Sequence, residues 1–370
     1  MKKTAKYQSQ PLDIKLLFPV IFLVGIGIVM IYSASSALAL KKYGNSFYFL
    51  FRQMSYAAVG ICMMLLFSYL PYRILRIFTY GFLILSFVLL AATQLSGLGF
   101  TAGGAARWIH IGSFSFQPSE FARFSLIIYL AYSLSKKEEK VKHFSIGFVP
   151  HVIVLMSYAI VIALQPDFGS IVILCSLTWI MMFVGGVKIR YLFLTVLPLI
   201  VVGYFYMINA DYRMDRLKSF QDPWKYKSEE GYQLIQSLLA FGTGGVWGTG
   251  IGQGYQKLFY LPEPHTDFIF SVIGEELGMV GALCIVSLYI MIWWRGLWIG
   301  MQTEDRFGSL VAVGLSTAII SQVAINMGVT LGLLPTKGLT LPFLSYGGSS
   351  LLLNLISVGI LLNIGANRKR

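Results

Sequence analysis

The chain alternates between long apolar runs and short polar connections along nearly its whole length. Each run approaches the ~20 residues that a helix needs to cross the hydrocarbon of a bilayer. The pattern predicts about ten membrane-spanning helices, near residues 16–36, 53–70, 74–95, 118–135, 148–164, 168–186, 190–209, 267–294, 309–332 and 342–364. We therefore expect an all-α, polytopic helical bundle. Residues 1–370 are expected to form a single membrane domain that includes short tails at 1–15 and 365–370.

The amino-acid composition supports a membrane protein and argues against a soluble one. The 370 residues are 56% hydrophobic and only 12% charged, with a mean hydropathy of +0.70. A soluble domain carries roughly 25% charged residues. The three cysteines, Cys62, Cys175 and Cys284, all lie inside apolar runs, which is not the pattern of a disulfide framework or a metal site.

The net charge of +13 would suggest a nucleic-acid partner in a soluble protein, but here the basic residues sort by connection. With the N-terminus inside, 17 Lys and Arg residues fall on cytoplasmic segments and five on the short outer connections. Basic residues are enriched on the cytoplasmic side of membrane proteins. The distribution therefore predicts two cytoplasmic termini, and no nucleic-acid partner is expected.

The elaborate polar connections all fall on the outer side. They are the glycine-rich Leu95–Gln117, the tight turn Gln165–Gly169, the large extracytoplasmic loop 210–266 and the segment Leu334–Pro342. Any chemistry is therefore expected outside the cytoplasm. Gly242–Gly254 superficially resembles a nucleotide-binding fingerprint, but it lacks the preceding strand and the G-x-G-x-x-G spacing. We interpret it as flexible backbone near a lipid headgroup.

The segment 261–278 is unusually acidic for this chain, and its carboxylates are Glu263, Asp267, Glu275 and Glu276. Carboxylates at a membrane boundary are costly to desolvate and are read as functional. Asp267 is the preferred catalytic group, although a helix N-cap is an alternative because Asp is favoured there. On a helix, Glu275 would lie about 80° from Asp267 and Glu276 about 180° away, so only Glu275 could share its site.

Several basic residues could bind a phosphate on the outer side. Arg107-Trp108 could clamp a phosphate and pack on a sugar or lipid, or could be an interfacial anchor. Lys257 and Lys337 would suit a diphosphate, or could be solvated charges. Glu120 and Arg123, three residues apart on one helix, could form a structural ion pair, while Arg123 could also reach an anionic ligand.

Two other polar residues could have structural rather than functional roles. Asp167 is an expected helix cap. His265 invites a dyad with Asp267 or a metal pair, but it could equally make a loop hydrogen bond, and zinc is not expected without a nearby second histidine. Two function classes fit: an enzyme acting on a lipid-linked phosphate substrate, or a transporter. A transporter is disfavoured because no acidic chain lies at mid-depth of the spans.

Seven short motifs, in order along nearly the whole chain, resemble the SEDS family of membrane proteins (shape, elongation, division and sporulation). They are Ile31–Ser35, Arg107–Ile109, Gln117–Glu120, Gln165–Gly169, Pro262–Phe270, Glu275–Gly278 and Ser345–Ser350. Within the family, Gln256–Pro262 and Pro335–Pro342 resemble the division branch rather than the elongation branch. Two positions depart from the pattern: Arg123 replaces a usual Lys, and Pro264 replaces a usual Ala.

The resemblance implies a peptidoglycan glycosyltransferase that polymerises lipid II at the outer face of the cytoplasmic membrane, at the division septum. It implies as partners a class B penicillin-binding protein and other division-complex membrane proteins. It carries the essential Asp onto Asp267 and the loop Trp onto Trp108. The expected substrate-binding residues are Arg107, Trp108, Glu120, Arg123, Lys257, Glu275, Lys337 and Ser345, with or without a divalent Mg²⁺ or Mn²⁺ ion.

Three alternatives stay open at this point. An elongation-type polymerase would use the same chemistry in another process. A lipid II flippase would translocate the substrate without polymerising it. A scaffold that recruits division proteins would need no catalytic Asp267.

Overall fold

The structure is a computed structural model that describes residues 12–94, 99–102, 105–112, 114–195, 203, 211–227, 231–258 and 260–367. Its helices are α1 Ile14–Tyr43, α2 Tyr48–Tyr69, α3 Leu75–Ala92, α4 Pro118–Lys136, α5 Val149–Leu164, α6 Phe168–Val184, α7 Asp211–Gln221, α8 Tyr232–Gly244, α9 Ile269–Gln302, α10 Arg306–Thr330 and α11 Gly348–Ala366. Its strands are β1 Gly99–Ala102, β2 Ala105–Ile111 and β3 Phe114–Phe116.

The helices confirm the membrane fold class. Seven helical segments are long and apolar enough to cross a bilayer: Ile14–Tyr43, Tyr48–Tyr69, Tyr72–Ala92, Phe144–Leu164, Ile269–Gln302, Arg306–Thr330 and Gly348–Ala366. Helix α6 is apolar but has only 17 residues, and α4 coincides with a further predicted span. The chain is therefore a multi-pass membrane protein. The predicted span 190–209 lies mostly outside the described residues, as do 1–11 and 368–370 of the two tails.

The bundle has a buried centre and an exposed apolar rim. In α10 and α11, 72% and 83% of the spanning window is buried, against 22% in the spans of α3 and α9. Helix α2 packs along α11, α9 packs against both α1 and α10, and α4 packs against α3 and α10. The rim helices expose apolar side chains that suit lipid, whereas the central helices can carry polar side chains away from it.

The start of α1 and the end of α11 lie at one end of the bundle, which we call the terminal end. There the Asp13 carboxylate pairs with Arg295 at 2.8 Å, and the Asp305 carboxylate pairs with Arg76. Asp305 also caps α10 by accepting the Gly308 amide at 3.4 Å. These ion pairs tie the starts and ends of neighbouring helices together. The opposite end, which carries the connections 95–117 and 245–268, is called the loop end.

A small antiparallel sheet stands at the loop end, within the segment expected to be a glycine-rich loop. Its order is β1-β2-β3, with Phe100 opposite Trp108 and Ile109 opposite Phe116. The apolar pattern that predicts the membrane spans does not predict this sheet. The sheet presents Arg107, Trp108 and His110 of β2 at the mouth of the bundle.

Helix α9 is interrupted at Gly278, where the glycine-rich segment 245–254 packs against it. Gly278 has φ +66°, and a Cβ there would lie 2.3 Å from the Gly248 nitrogen. The Met279 amide donates to the Gly245 carbonyl at 3.0 Å, in a connection that replaces the helix bonds lost at the break. The segment is thus held backbone to backbone, which corrects the expectation of flexible backbone near a headgroup.

Candidate active site

A cavity of about 480 Å³ opens at the loop end of the bundle. Most of its wall comes from strand β2, the segment 263–268 ahead of α9, the connection 336–340 after α10, and the turn 346–348 that begins α11. Single residues of α2, β3, α7 and α8, and Gln117 before α4, complete it. The polar side chains that line it are Tyr56, Arg107, Trp108, His110, Ser115, Gln117, Arg216, Gln233, Glu263, Thr266, Asp267, Thr336, Lys337, Thr340 and Tyr346. Segments far apart in sequence therefore meet around one space.

Asp267 lies at the wall of this cavity, and it does not cap a helix. Helix α9 starts at Ile269 with Phe268 as its N-cap residue, and no side chain accepts its first amides. The helix-cap alternative for Asp267 is therefore wrong. Among the residues that the structure describes, none makes a hydrogen bond or ion pair with its carboxylate. A Cβ built on Gly338 would come within 3.0 Å of its Oδ2 atom, so a glycine leaves the room that this carboxylate occupies.

The backbone that carries Asp267 is held at three consecutive carbonyls. The Tyr346 amide donates to the His265 carbonyl at 2.9 Å, and the Ser345 hydroxyl donates to the Thr266 carbonyl at 2.5 Å. The side-chain amide of Asn326 donates to the Asp267 carbonyl at 2.8 Å. The main chain is fixed at each residue, while the carboxylate itself stays available to a ligand.

Burial raises the pKa of the Asp267 carboxyl from 3.8 to about 7. The charge of Glu263, at the rim of the same cavity, raises it further, and Arg107 acts in the opposite direction. Desolvation and a neighbouring like charge both disfavour an ionised carboxylate. Asp267 is therefore balanced between its neutral and charged forms near neutral pH, which is the condition for efficient proton transfer.

Three cations line the same cavity as Asp267. Arg107 donates to the Pro166 carbonyl at 2.7 Å and lies 4.0 Å from the Asp167 carboxylate. The ammonium of Lys337 stands 4.6 Å from the centre of the Phe168 ring, and burial lowers the pKa of Lys337 to about 8. Arg216 of α7 lines the same wall.

The expected helix cap at Asp167 is confirmed. Its carboxylate accepts the Ser170 hydroxyl at 2.7 Å and the Ser170 amide at 3.4 Å at the start of α6. The carboxylate thereby fixes the helix start beside which Arg107 and Lys337 lie.

A second cavity, of about 260 Å³, lies behind the cationic wall. Its apolar lining is Pro166, Phe168, Val172, Leu217, Ile325, Val329, Leu334, Pro335 and Leu339. Arg107, Arg216 and Lys337 border both cavities. The arrangement offers a polar space and an apolar space separated by three cations, which matches an amphiphile with an anionic group between a polar head and an apolar chain.

Two of the expected site residues lie away from this cavity. The Glu275 carboxylate accepts the backbone amides of Tyr255 at 2.8 Å and of Gln256 at 3.2 Å. Lys257 is buried and pairs with Glu276 at 2.6 Å. The structure thus uses both residues to pin the segment 245–257 to α9, and it does not bring them to Asp267.

Three further expected residues lie next to the cavity rather than in its lining. Ser345 holds the backbone, as described, and also accepts the Leu341 amide at 2.7 Å. Glu120 accepts the Ser349 hydroxyl at 2.9 Å. Glu120 and Arg123 both border a polar void of about 20 Å³ that reaches Thr340, a residue of the main cavity wall.

The structure adds site residues that the sequence did not single out. Arg216 lies in a long polar loop where one arginine cannot be distinguished from its charged neighbours. His110 lies on the face of Trp108 because side chains alternate along β2, a strand that the sequence analysis did not predict. His265 makes no dyad with Asp267: its ring packs 4.5 Å from Phe49, between that ring and Tyr346.

The donor set at this cavity does not fit a metal ion held by the protein. Over the part of the chain that the structure describes, no cluster of three or more His, Cys, Asp or Glu side chains is close enough to bind one. Asp267 and Glu263 are the acidic residues in the lining described, and the remaining charged groups there are cations. We derive no chemical step through a metal.

Comparisons with known proteins agree on one family. The chain matches the family model described as cell cycle protein (FTSW_RODA_SPOVE) over residues 14–370. It is 44% identical to the probable peptidoglycan glycosyltransferase FtsW of Geobacter metallireducens, over 96% of this chain and 95% of that protein. It is 42% identical to the stage V sporulation protein E of Bacillus subtilis, over 95% and 96% of the two chains.

Two solved structures resemble the fold. One is a chain from a peptidoglycan synthase complex that coordinates polymerization and crosslinking, with a TM-score of 0.78 and 28% identity over 96% of this chain and 97% of that chain. The other is the rod shape determining protein RodA of Thermus thermophilus, with a TM-score of 0.71 and 26% identity over 97% and 98% of the two chains.

The raised pKa of Asp267 predicts a stability change that depends on pH. Between about pH 4 and pH 7 the unfolded chain ionises this carboxyl and the folded chain does not, so ionisation progressively favours unfolding. Asp267→Asn should therefore raise the thermal midpoint in detergent, by an amount that grows up to about pH 7 and then levels off. Glu139→Gln, which changes an exposed carboxylate, is the control and should show no such trend. If the difference in thermal midpoint between wild type and Asp267→Asn stays constant from pH 4 to pH 8, the raised pKa of Asp267 is contradicted.

Proposed function

The chain belongs to the FtsW, RodA and SpoVE family of cell cycle proteins, and we propose that it is a peptidoglycan glycosyltransferase that polymerises lipid II with Asp267 as its general base. One observation carries the proposal: a carboxylate without a described protein partner and three cations line one cavity, and the same cations border an adjoining apolar cavity. The identity to FtsW, at 44%, against 26% to the RodA structure, supports the division branch.

The reaction joins two lipid-linked saccharides. The 4-hydroxyl oxygen of the acceptor sugar attacks the anomeric carbon of the donor chain, and Asp267 accepts the hydroxyl proton. A new glycosidic C–O bond forms while the bond from the anomeric carbon to the undecaprenyl diphosphate oxygen breaks. The diphosphate departs with that electron pair. A base with a pKa near the working pH suits this proton transfer, and the pKa of Asp267 lies at about 7.

The leaving diphosphate develops negative charge, and fixed cations stabilise it most when they are already in place. Arg107, Arg216 and Lys337 line this cavity and also border the apolar one. Arg107 is held by Pro166 and Asp167, so little reorganisation is needed. These three residues take the diphosphate role, for which Arg123 and Lys257 were the other candidates.

The apolar cavity behind the cations accommodates the first part of a prenyl chain. Its volume of about 260 Å³ takes only a few isoprene units, so the remainder of the chain extends into the surrounding lipid. The polar cavity, at about 480 Å³, takes saccharide. Trp108 supplies an aromatic surface for a sugar or lipid in this arrangement.

The loop end faces outward in this proposal, and both termini lie in the cytoplasm at the division septum. The excess of Lys and Arg on the terminal end supports that orientation. A class B penicillin-binding protein is the proposed partner, with other division-complex membrane proteins around it. The resemblance to a chain from a peptidoglycan synthase complex supports a partner of this kind.

Removing the base tests the proposal. Purified Asp267→Asn protein, reconstituted with a class B penicillin-binding protein, should polymerise lipid II at a rate lower by roughly 10²–10⁴-fold, because general base catalysis contributes that much. The measurement is gel separation of the glycan strands made from labelled lipid II. Glu139→Gln is the control: its exposed carboxylate follows the end of α4 that is remote from the cavity, and this variant should retain activity.

Two results would overturn the proposal. Glycan strands of wild-type length and yield from folded Asp267→Asn protein would remove Asp267 from the chemistry. Translocation of lipid II in proteoliposomes by wild-type protein that forms no strands would favour the flippase.

A second substitution tests the cationic wall. Arg216→Gln should lower kcat/KM roughly 10–100-fold, because a hydrogen bond to a charged group is worth about 1.5–3 kcal/mol. It should also weaken product inhibition by undecaprenyl diphosphate by a similar factor. Lys218→Gln removes the same charge two residues further along α7, where the side chain is exposed, and should stay within about twofold of wild type. Equal effects of the two substitutions would contradict a local role for Arg216.

A further inference from the structure

Asn326 connects two segments that form the cavity wall, the one that carries Asp267 and the connection after α10. It lies on α10, is 1% exposed, and has its side chain directed to the loop end. Its single amide nitrogen donates to the Asp267 carbonyl at 2.8 Å and to the Leu339 carbonyl at 2.6 Å. One NH₂ group thus joins the segment that carries Asp267 to the connection that carries Lys337.

The chemistry of this bridge requires two donors on one nitrogen. Asn supplies them, whereas Ser has one donor and Leu has none. A buried amide is costly in an apolar helix unless it is hydrogen-bonded. In the described part of the chain, the Oδ1 atom of Asn326 has no hydrogen-bond partner, although it is buried. The position therefore uses the donors of the amide and tolerates an unsatisfied acceptor.

Gln322, one turn earlier on the same face of α10, makes a related but simpler contact. Its side-chain amide donates to the Thr340 carbonyl at 2.8 Å and to the Thr340 hydroxyl at 3.2 Å. It holds the connection 336–340, and among the described residues it makes no hydrogen bond to the Asp267 segment. The two amides thus offer a natural comparison between fixing one wall and fixing the distance between both walls.

We propose that Asn326 is a positioning residue that sets the place of the Asp267 carboxylate relative to the cations that line the same cavity. The inference rests on the proposed role of Asp267 as the base. Catalytic groups must be held within about 0.5 Å of their productive geometry, and a 1 Å misplacement can cost about 10²-fold in rate. The Asp267 carboxylate has no described bond of its own, so its position follows from its backbone.

The hydrogen bond from Asn326 to the Asp267 carbonyl also determines how far water reaches the Asp267 carboxylate. The titratable and charged groups around it are Glu263 on its own segment, Arg107 and His110 on β2, Arg216 on α7 and Lys337 on the connection after α10. When the carbonyl of Asp267 is released, the segment moves and water reaches the carboxylate. Its pKa then falls toward the ordinary value, because burial is the main cause of the raised one.

The test compares Asn326→Leu with Gln322→Leu in the reconstituted polymerisation assay. Asn326→Leu should lower kcat roughly 10–100-fold with KM within about twofold, since substrate contacts remain. The rise of kcat with pH should move to lower pH, because Asp267 then ionises earlier. Gln322→Leu should leave that pH profile in place. Asn326→Ser, which keeps one donor, should give an intermediate kcat.

The outcomes separate this inference from the proposed function. An inactive Asp267→Asn protein together with wild-type kcat and pH profile in Asn326→Leu would overturn the positioning role alone. An active Asp267→Asn protein would overturn the base. If the Leu variant fails to fold, as judged by its thermal midpoint, the Ser variant decides: a wild-type kcat and pH profile there would also overturn the positioning role.

Discussion

The site depends on three hydrogen bonds to the carbonyls of His265, Thr266 and Asp267. They come from the turn that begins α11 and from the middle of the bundle. Among the described residues, the segment ahead of α9 is thus fixed without a bond to the Asp267 carboxylate. The partial desolvation of that carboxylate and its distance from the cationic wall both follow. A base needs this combination: a rigid main chain and a side chain left to the substrate.

A second constraint acts on the same part of the chain from the other side. Glu275 and Glu276 accept backbone amides of the segment 252–256, and Lys257 neutralises Glu276. These buried contacts hold the glycine-rich segment in the break of α9 at Gly278. The start of α9 is thereby fixed from both of its faces. The four carboxylates of the segment 261–278 have different roles. Asp267 is the proposed base and Glu263 lies at the cavity rim, while Glu275 and Glu276 hold the glycine-rich segment.

Much of the fold could be read from the sequence, because a bilayer imposes the length and apolar character of each span. Nine of the ten predicted spans coincide with described helices. The sheet around Trp108 could not be predicted, since its strands have only three to seven residues and lie in a glycine-rich part of the sequence. The break at Gly278 was also missed, because a single glycine in an apolar run has no distinctive local signal.

The candidate site was predicted only in part. Asp267, Arg107, Trp108 and Lys337 meet at the cavity, and their polarity beside long apolar spans pointed to them. Helical spacing suggested that Glu275 shares a face with Asp267, but residues before Ile269 are not helical, so the angle does not apply. Lys257 lies next to a buried acid that only the fold brings near. Arg216 and Asn326 depend on contacts between distant elements, which no local pattern contains.

The most direct test of the account is the pH dependence of a single turnover of lipid II polymerisation by the wild-type protein with its partner. With Asp267 as the base, the rate should rise tenfold per pH unit at low pH and level off around an apparent pKa of about 7, the value for Asp267. A rate that stays flat between about pH 5 and pH 8.5 would contradict a base titrating in this range.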